Sequence, residues 1–288
     1  NILLKKIIYM TKNLLQTPDY FLLDEFLSEE HKLIRDTTRN WVNKIISPII
    51  EKSCQDSTFP SHVIPDLSNV GAFGSYIPKK YGGLELDQIS YGLIMQELER
   101  GDSGIRSTAS VQTSLVMFPI WKYGNEKQKQ KFLPKLASGE IMGCFGLTEP
   151  DYGSNPSGMR TNIINHGDYY LLNGAKMWIS NAPFADIAIV WAKNEKNIVT
   201  GVIVERNMPG FTTPETHNKW SLRASSTGEL VFNNVKIPKE NLLQKKGLGV
   251  PLSCLDSARY GIAWGAIGAA IDCYCTALKY SKERIQFG

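Results

Sequence analysis

Histidine and cysteine are scarce in this 288-residue chain, and their placement says as much as their number. The four histidines, His31, His62, His166 and His217, are scattered, and the five cysteines, Cys54, Cys144, Cys254, Cys273 and Cys275, form no CxxC pair. Metal sites need convergent ligands at short spacings, so no metal is expected. An odd set of unpatterned cysteines fits a reduced intracellular protein and not a disulfide scaffold. Charge of one sign is also in short supply. The formal net charge is +4, and no basic run is interleaved with aromatics, which argues against nucleic acid and leaves only a modest preference for anionic small ligands. No segment is expected to reach the roughly 18 apolar residues that a bilayer span demands. The stretch Asn1–Tyr9 ahead of Met10 has its apolar run broken by Lys5 and Lys6 and lacks a small-residue cleavage site. It reads as an upstream fragment or translated leader and not as a signal peptide. A cytoplasmic protein without membrane insertion is expected.

What is present is ordinary globular composition, 42% hydrophobic and 21% charged, in a chain long enough for two domains with cores of their own. Ser28 followed by Glu29 and Glu30 is a helix start, and Ile34, Trp41, Val42, Ile45, Ile46 and Ile49 then recur at helical spacing with a kink expected at Pro48. Further helices are expected from Asp87 to Leu98, after the Gly101–Gly104 turn, and from Asn125 to Leu136. The period then changes. Ile187–Trp191, Val199–Val204 and Leu230–Phe232 read as strands, with turn signals at His166-Gly167-Asp168, Asn173-Gly174 and Asn233-Asn234. After Gly247-Leu248-Gly249, the small-residue-rich stretch Tyr260–Asp272 is helical again. Gly261, Gly265 and Gly268 share a face that another helix can approach. The expected class is α+β: a leader or disordered N-terminus over 1–20, an N-terminal helical domain over 21–141, a central β-barrel-like domain over 142–246, and the start of a C-terminal helical bundle over 247–288. Residues after Gly288 are expected to complete that bundle.

The segment Gly143-Cys144-Phe145-Gly146-Leu147-Thr148-Glu149-Pro150-Asp151-Tyr152-Gly153-Ser154 and its echo Lys176-Met177-Trp178-Ile179-Ser180-Asn181 each offer backbone donors, a hydroxyl and a large apolar surface. That mixture holds a flat heterocycle with a phosphate tail. The order of helices, strands and helices, carrying Leu147-Thr148-Glu149-Pro150 and Trp178-Ile179-Ser180, resembles the acyl-CoA dehydrogenase family from about Phe21 onward. Tyr81-Gly82-Gly83 and Arg284-Ile285-Gln286-Phe287-Gly288 fit the same family in the same order.

The resemblance implies FAD as cofactor. It implies that Thr148 bonds the pyrimidine side of the flavin, that Trp178 flanks its apolar part, and that Ser180 reaches N5 where many relatives carry threonine. Phe145, Leu147 and Ile179 complete those contacts. Ser154 would sit by the pyrophosphate and the CoA chain, with Asn155 in the place of a more usual aspartate. Arg284 and Phe287 resemble a pair that meets FAD across a subunit interface, which implies a homo-oligomer, expected to be a homotetramer. Leu252, Asp256, Ser257 and Arg259 would help hold the CoA chain. The catalytic base of most relatives is a glutamate in the C-terminal bundle, expected here beyond Gly288. Others carry it just before the arginine matching Arg259, where this chain has Ala258, so no base is assigned.

Gly104-Ile105-Arg106-Ser107-Thr108-Ala109-Ser110-Val111 bears on the substrate. Arg106 and Ser110 are four apart and share a helix face. A guanidinium desolvated without a partner costs several kcal/mol, whereas a substrate carboxylate would suit its fork of donors. The alternative is pairing with Asp102, Glu97 or Glu99. The octapeptide, with Ser221–Gly228 and Ala258–Gly265, resembles the glutaryl-CoA dehydrogenase branch. That likeness implies substrate contacts from Arg106, Ser107 and Ser110, oxidative decarboxylation of glutaryl-CoA to crotonyl-CoA in amino-acid degradation, and an electron-transfer flavoprotein as acceptor. A dehydrogenase for short acyl-CoAs without decarboxylation, or a non-catalytic acyl-CoA or flavin-binding protein, remains an alternative.

Overall fold

The computed structural model describes residue 19 and residues 21–287. The leader expected over 1–20, Asp19 apart, and the final Gly288 lie outside the described residues. Helix α1 (Glu29–Trp41) starts at the Ser28 N-cap as expected, but the capping box is closed by His31, whose Nδ1 accepts from the Ser28 N–H. Beyond it the chain is π-helical over Val42–Ile46 and then turns through Pro48 into α2 (Ile50–Asp56). After α3 (Ile64–Asn69), α4 (Gln88–Gly101) begins where the Asp87 carboxylate accepts from the Ser90 N–H at 2.8 Å. Every residue from Ser90 to Leu98 is buried, so α4 is the core helix of the N-terminal layer. Asp102 caps α5 (Ser103–Ser110), which runs through a π-helical segment, Val111–Met117, into α6 (Phe118–Tyr123). Helix α7 (Glu126–Ser138) closes the layer.

Eight strands follow: β1 (Gly143–Gly146), β2 (Asn162–Asn165), β3 (Tyr169–Ser180), β4 (Ile187–Lys193), β5 (Val199–Glu205), β6 (Phe211–Thr212), β7 (Thr227–Pro238) and β8 (Leu242–Lys246). They form one mixed sheet in the order β6-β7-β3-β2-β4-β5-β8, with β1 parallel to β4. Strand β4 is buried on both sides. Ile187, Ile189 and Trp191 join the core shared with the helices, while Ala188, Val190 and Ala192 join a second core inside the sheet, as the twofold period of a strand requires.

Two of the expected turns are not turns. Asn173-Gly174 lies within β3 and Asn233-Asn234 within β7, facing each other across a register shift between Leu172 and Gly174. The Asn234 N–H donates to Asn173 Oδ1 at 2.8 Å, and Asn234 itself has φ 53°. The residues that suit a tight turn here suit a β-bulge, because both need left-handed backbone and local side-chain bonding.

The chain ends in α8 (Gly249–Glu283), much longer than the Tyr260–Asp272 core legible in sequence. By length and mean hydropathy, 1.3 over its most apolar window, α8 is long and apolar enough to cross a membrane, against the expectation that no segment is. Its glycine face, however, already has a neighbour in α4 and α5. A Cβ placed on Gly268 would sit 2.0 Å from the Gln96 carbonyl oxygen, and one on Gly261 would sit 2.6 Å from the Tyr91 hydroxyl. The close approach that the glycines permit is thus used within these residues. Gly268→Val should therefore force α8 off α4, lowering stability by about 1–3 kcal/mol; the midpoint of urea unfolding is the measurement, and an unchanged midpoint would mean that the contact is not made.

Candidate active site

Two segments that are distant in sequence are joined by one buried ion pair. The Lys176 ammonium on β3 donates to the Leu147 carbonyl at 3.1 Å and to Glu149 Oε1 at 2.8 Å, and its side chain has no solvent exposure. Glu149 also accepts from the backbone N–H groups of Arg160, 2.7 Å, and Thr161, 3.0 Å. Burial would raise the Glu149 carboxyl, but these donors and Lys176 outweigh it and hold the group below the ordinary carboxylate range. Burial pushes the Lys176 ammonium down to about 8, with Glu149 opposing. A backbone bond from Met177 N–H to the Thr148 carbonyl, 2.9 Å, completes the clamp.

Beyond Lys176 the β3–β7 register shifts before Ile179. Trp178 sits at φ 61° with 57% of its surface exposed, although a bulky residue rarely takes left-handed backbone. The bulge turns the indole outward and leaves Ile179 buried. Asn181, also left-handed at φ 68°, anchors the far side by donating from Nδ2 to the Gly143 carbonyl at 3.2 Å.

These elements wall a cavity of about 390 Å³. Of the residues singled out in sequence, Phe145, Leu147, Thr148, Ser154, Trp178, Ile179 and Ser180 line it from the sheet side, and Leu252 and Arg259 from α8. Val111 and Leu115 of the π-helical segment and Leu255 of α8 also line it, and sequence reading missed all three. Their spacings carried the signal: Leu252, Leu255 and Arg259 recur at three and four residues, as one face of a helix does. No carboxylate lines the cavity among the described residues.

The remaining expected residues lie elsewhere. Arg106 is buried beneath α8, where its Nε pairs with Glu99 beside Gly265, so one of the three pairings weighed for it is made. Ser110 is buried on the same helix, and Ser107 is half-buried. Asp256 bonds Arg259 at 2.6 Å, and Ser257 faces away toward Tyr76. Arg284 and Phe287 stand exposed past the end of α8, remote from the cavity wall.

Residues 28–140 match the family model described as acyl-CoA dehydrogenase, N-terminal domain, and residues 144–235 match that of the middle domain. The chain belongs to the acyl-CoA dehydrogenase family. Within it, the chain is 38% identical over 276 residues to the glutaryl-CoA dehydrogenase of Desulfococcus multivorans, covering 92% of this chain and 71% of that one. It is 39% identical over 255 residues to the short-chain specific acyl-CoA dehydrogenase of Megasphaera elsdenii, covering 85% of this chain and 67% of that one. A crystal structure of a glutaryl-CoA dehydrogenase from Mycobacterium smegmatis in complex with FADH2 superimposes with a TM-score of 0.91 at 46% identity, covering 93% of this chain and 69% of that one.

The cavity fits a flavin of that kind. It offers the hydroxyls of Thr148, Ser154 and Ser180, the apolar faces of Leu147 and Trp178, and open space beside Gly153, where a Cβ would meet no atom within 4 Å. The clamp that shapes it can be tested by removing one charge. Glu149→Gln leaves the Lys176 ammonium buried without an anion and should cost about 3–5 kcal/mol, read as a fall in melting temperature. Because the Glu149 pKa is depressed on folding, its stabilisation is complete above its ordinary pKa of 4.5 and is lost as pH falls below that value. The variant should lack that part of the acid transition.

Proposed function

We propose that this acyl-CoA dehydrogenase oxidises glutaryl-CoA across its α and β carbons and that loss of the distal carboxylate as CO2 then yields crotonyl-CoA. FAD, when bound, supplies the two-electron acceptor for the hydride leaving the β carbon. Thr148 and Ser180 would hold its ring by hydrogen bonds, and Trp178 would cover it and exclude water. Ser154 and Arg259 face the phosphates and the CoA chain, where a cation and hydroxyl favour anions. Since the cavity wall described here has no carboxylate, the acceptor of the α proton is assigned to a group outside it. Once the double bond is in place, departure of CO2 leaves electrons that delocalise into the thioester as a dienolate, and return of a proton to the γ carbon gives crotonyl-CoA. The two electrons taken from the substrate pass on to an electron-transfer flavoprotein, and the working form is a homotetramer.

The observation that carries the dicarboxylic reading is the donor set of Arg106. Only its Nε is engaged, by Glu99, and neither terminal nitrogen makes a hydrogen bond to a described residue. Two forked N–H groups remain for a carboxylate, on a helix whose next turn supplies Val111 to the cavity. The pairing with Glu99 favours a second reading, oxidation of a short acyl-CoA without decarboxylation, in which Arg106 only secures α5 to α4.

The two readings diverge on Arg106→Gln. If Arg106 binds the distal carboxylate, kcat/KM for glutaryl-CoA should fall about 10- to 150-fold, the equivalent of a charge-assisted hydrogen bond of about 1.5–3 kcal/mol, with little change for butyryl-CoA. Equal losses on both substrates would favour the second reading. The double variant Glu99→Gln/Arg106→Gln removes the uncompensated carboxylate and controls for lost stability.

A further inference from the structure

Four hydroxyls, those of Tyr76, Tyr91, Ser114 and Ser257, meet beside the two helical segments that line the cavity. Tyr76, in the loop before the Lys79–Tyr81 turn, contacts Ser257 of α8 at 2.8 Å, and its hydroxyl lies 3.2 Å from that of Ser114 of the π-helical segment. Tyr91 of α4 contacts the same Ser114 at 2.8 Å, and Ser257 donates to Ser114 at 3.3 Å. The two tyrosine rings pack edge to face with centroids 5.1 Å apart.

The positions of the two serines give the cluster its meaning. Ser114 is fully buried and adjoins Leu115, with Val111 three residues before it; Ser257 lies between Leu255 and Arg259. Val111 and Leu115 line the cavity from the π-helical segment as one helical wall, and Leu255 and Arg259 line it from α8 as the other. The first wall is held independently. Gln112 donates to the carbonyls of Leu136 and Ile141 and accepts from the Gly143 N–H, while Thr113 donates to the Ala72 carbonyl and accepts from the Gly74 N–H. The wall on α8 is tied by Ser253 to the Tyr123 hydroxyl of α6 at 2.6 Å and, one turn on, by Ser257, where it joins the first wall.

We propose that the Tyr76–Ser257 contact is a positioning device that sets the separation of the two helical walls of the cavity and so its affinity for acyl-CoA. This rests on the reading of the cavity as an acyl-CoA and flavin site. Neither Tyr76 nor Ser257 lines the cavity, so each acts through the side chains beside it. Tyr76→Phe keeps the ring that packs on Tyr91 and removes only the hydroxyl. Ser257 is then left with the longer contact to Ser114, and the first turns of α8 gain freedom to shift.

The test is binding of butyryl-CoA to the FAD-reconstituted protein, by calorimetry and by quenching of Trp178 fluorescence, with bound FAD measured by absorbance. Tyr76→Phe and Ser257→Ala should each weaken butyryl-CoA binding about five- to tenfold, the size of one hydrogen bond, with FAD content unchanged. The double variant should lose less than the sum of the two single losses, because the Tyr76–Ser257 contact is common to both. Ser257→Thr, which keeps the hydroxyl, should restore affinity. Affinities within twofold of the unmodified protein would overturn the proposal, as would additive losses in the double variant. FAD loss in proportion to the loss of butyryl-CoA affinity would also overturn it, since general loosening would then suffice. If the unmodified protein binds neither FAD nor butyryl-CoA, the acyl-CoA reading itself fails and this inference falls with it.

Discussion

The Lys176–Glu149 pair holds the cavity together. A lysine with no exposed side chain is costly to bury, and here its donors go to Glu149 and to the Leu147 carbonyl. Glu149 in turn draws in the backbone of Arg160 and Thr161. One ion pair therefore fixes the end of β1, the turn after it, the entry to β2 and the bulged end of β3. Thr148, next to Glu149, and Trp178, two residues after Lys176, take their positions from it. The strained backbone at Trp178 persists because both sides of the bulge are tied down, by Lys176 on one side and Asn181 on the other.

The helical half solves a different problem. A cavity between a sheet and a helix needs the helix close but not touching, and α8 is brought close by its glycines further along. Gly261, Gly265 and Gly268 let polar groups of α4 and α5, including the Arg106–Glu99 pair, pack beneath it. Toward its N-terminus the face changes to Leu252, Leu255 and Arg259, and space opens. The π-helical widening of the segment after α5 turns Val111 and Leu115 to the same space, so that a long helix, a bulged strand and a widened helix meet at one cavity.

Much of this was legible residue by residue. The helix starts at Ser28, Asp87 and Asn125, the buried strand at Ile187, and the pairing of the two flavin-like segments all follow from local chemistry and period. Asn173-Gly174 and Asn233-Asn234 misled because a bulge and a hairpin turn ask for the same residues; only the strand opposite distinguishes them. Val111 and Leu115 went unnoticed because an apolar side chain on a helix reads as core, and it takes a neighbouring void to make it a wall. Arg106 reads in sequence as a charge in need of an anion, with a substrate carboxylate, Asp102, Glu97 and Glu99 all within reach; spacing cannot choose among them, and packing brings Glu99 to it.

By itself the sequence determined the order of helical and sheet layers and the residue types that a flavin site requires, because periodicity and side-chain chemistry are local properties. The tertiary structure alone decided which of those residues share a cavity, that Arg106 gives one nitrogen to Glu99 and keeps two, and that Ser257 faces Tyr76 and not the cavity. Such choices depend on the rotation of one helix against another and on which buried polar groups come within hydrogen-bond reach. Those are relations between distant segments, set by packing.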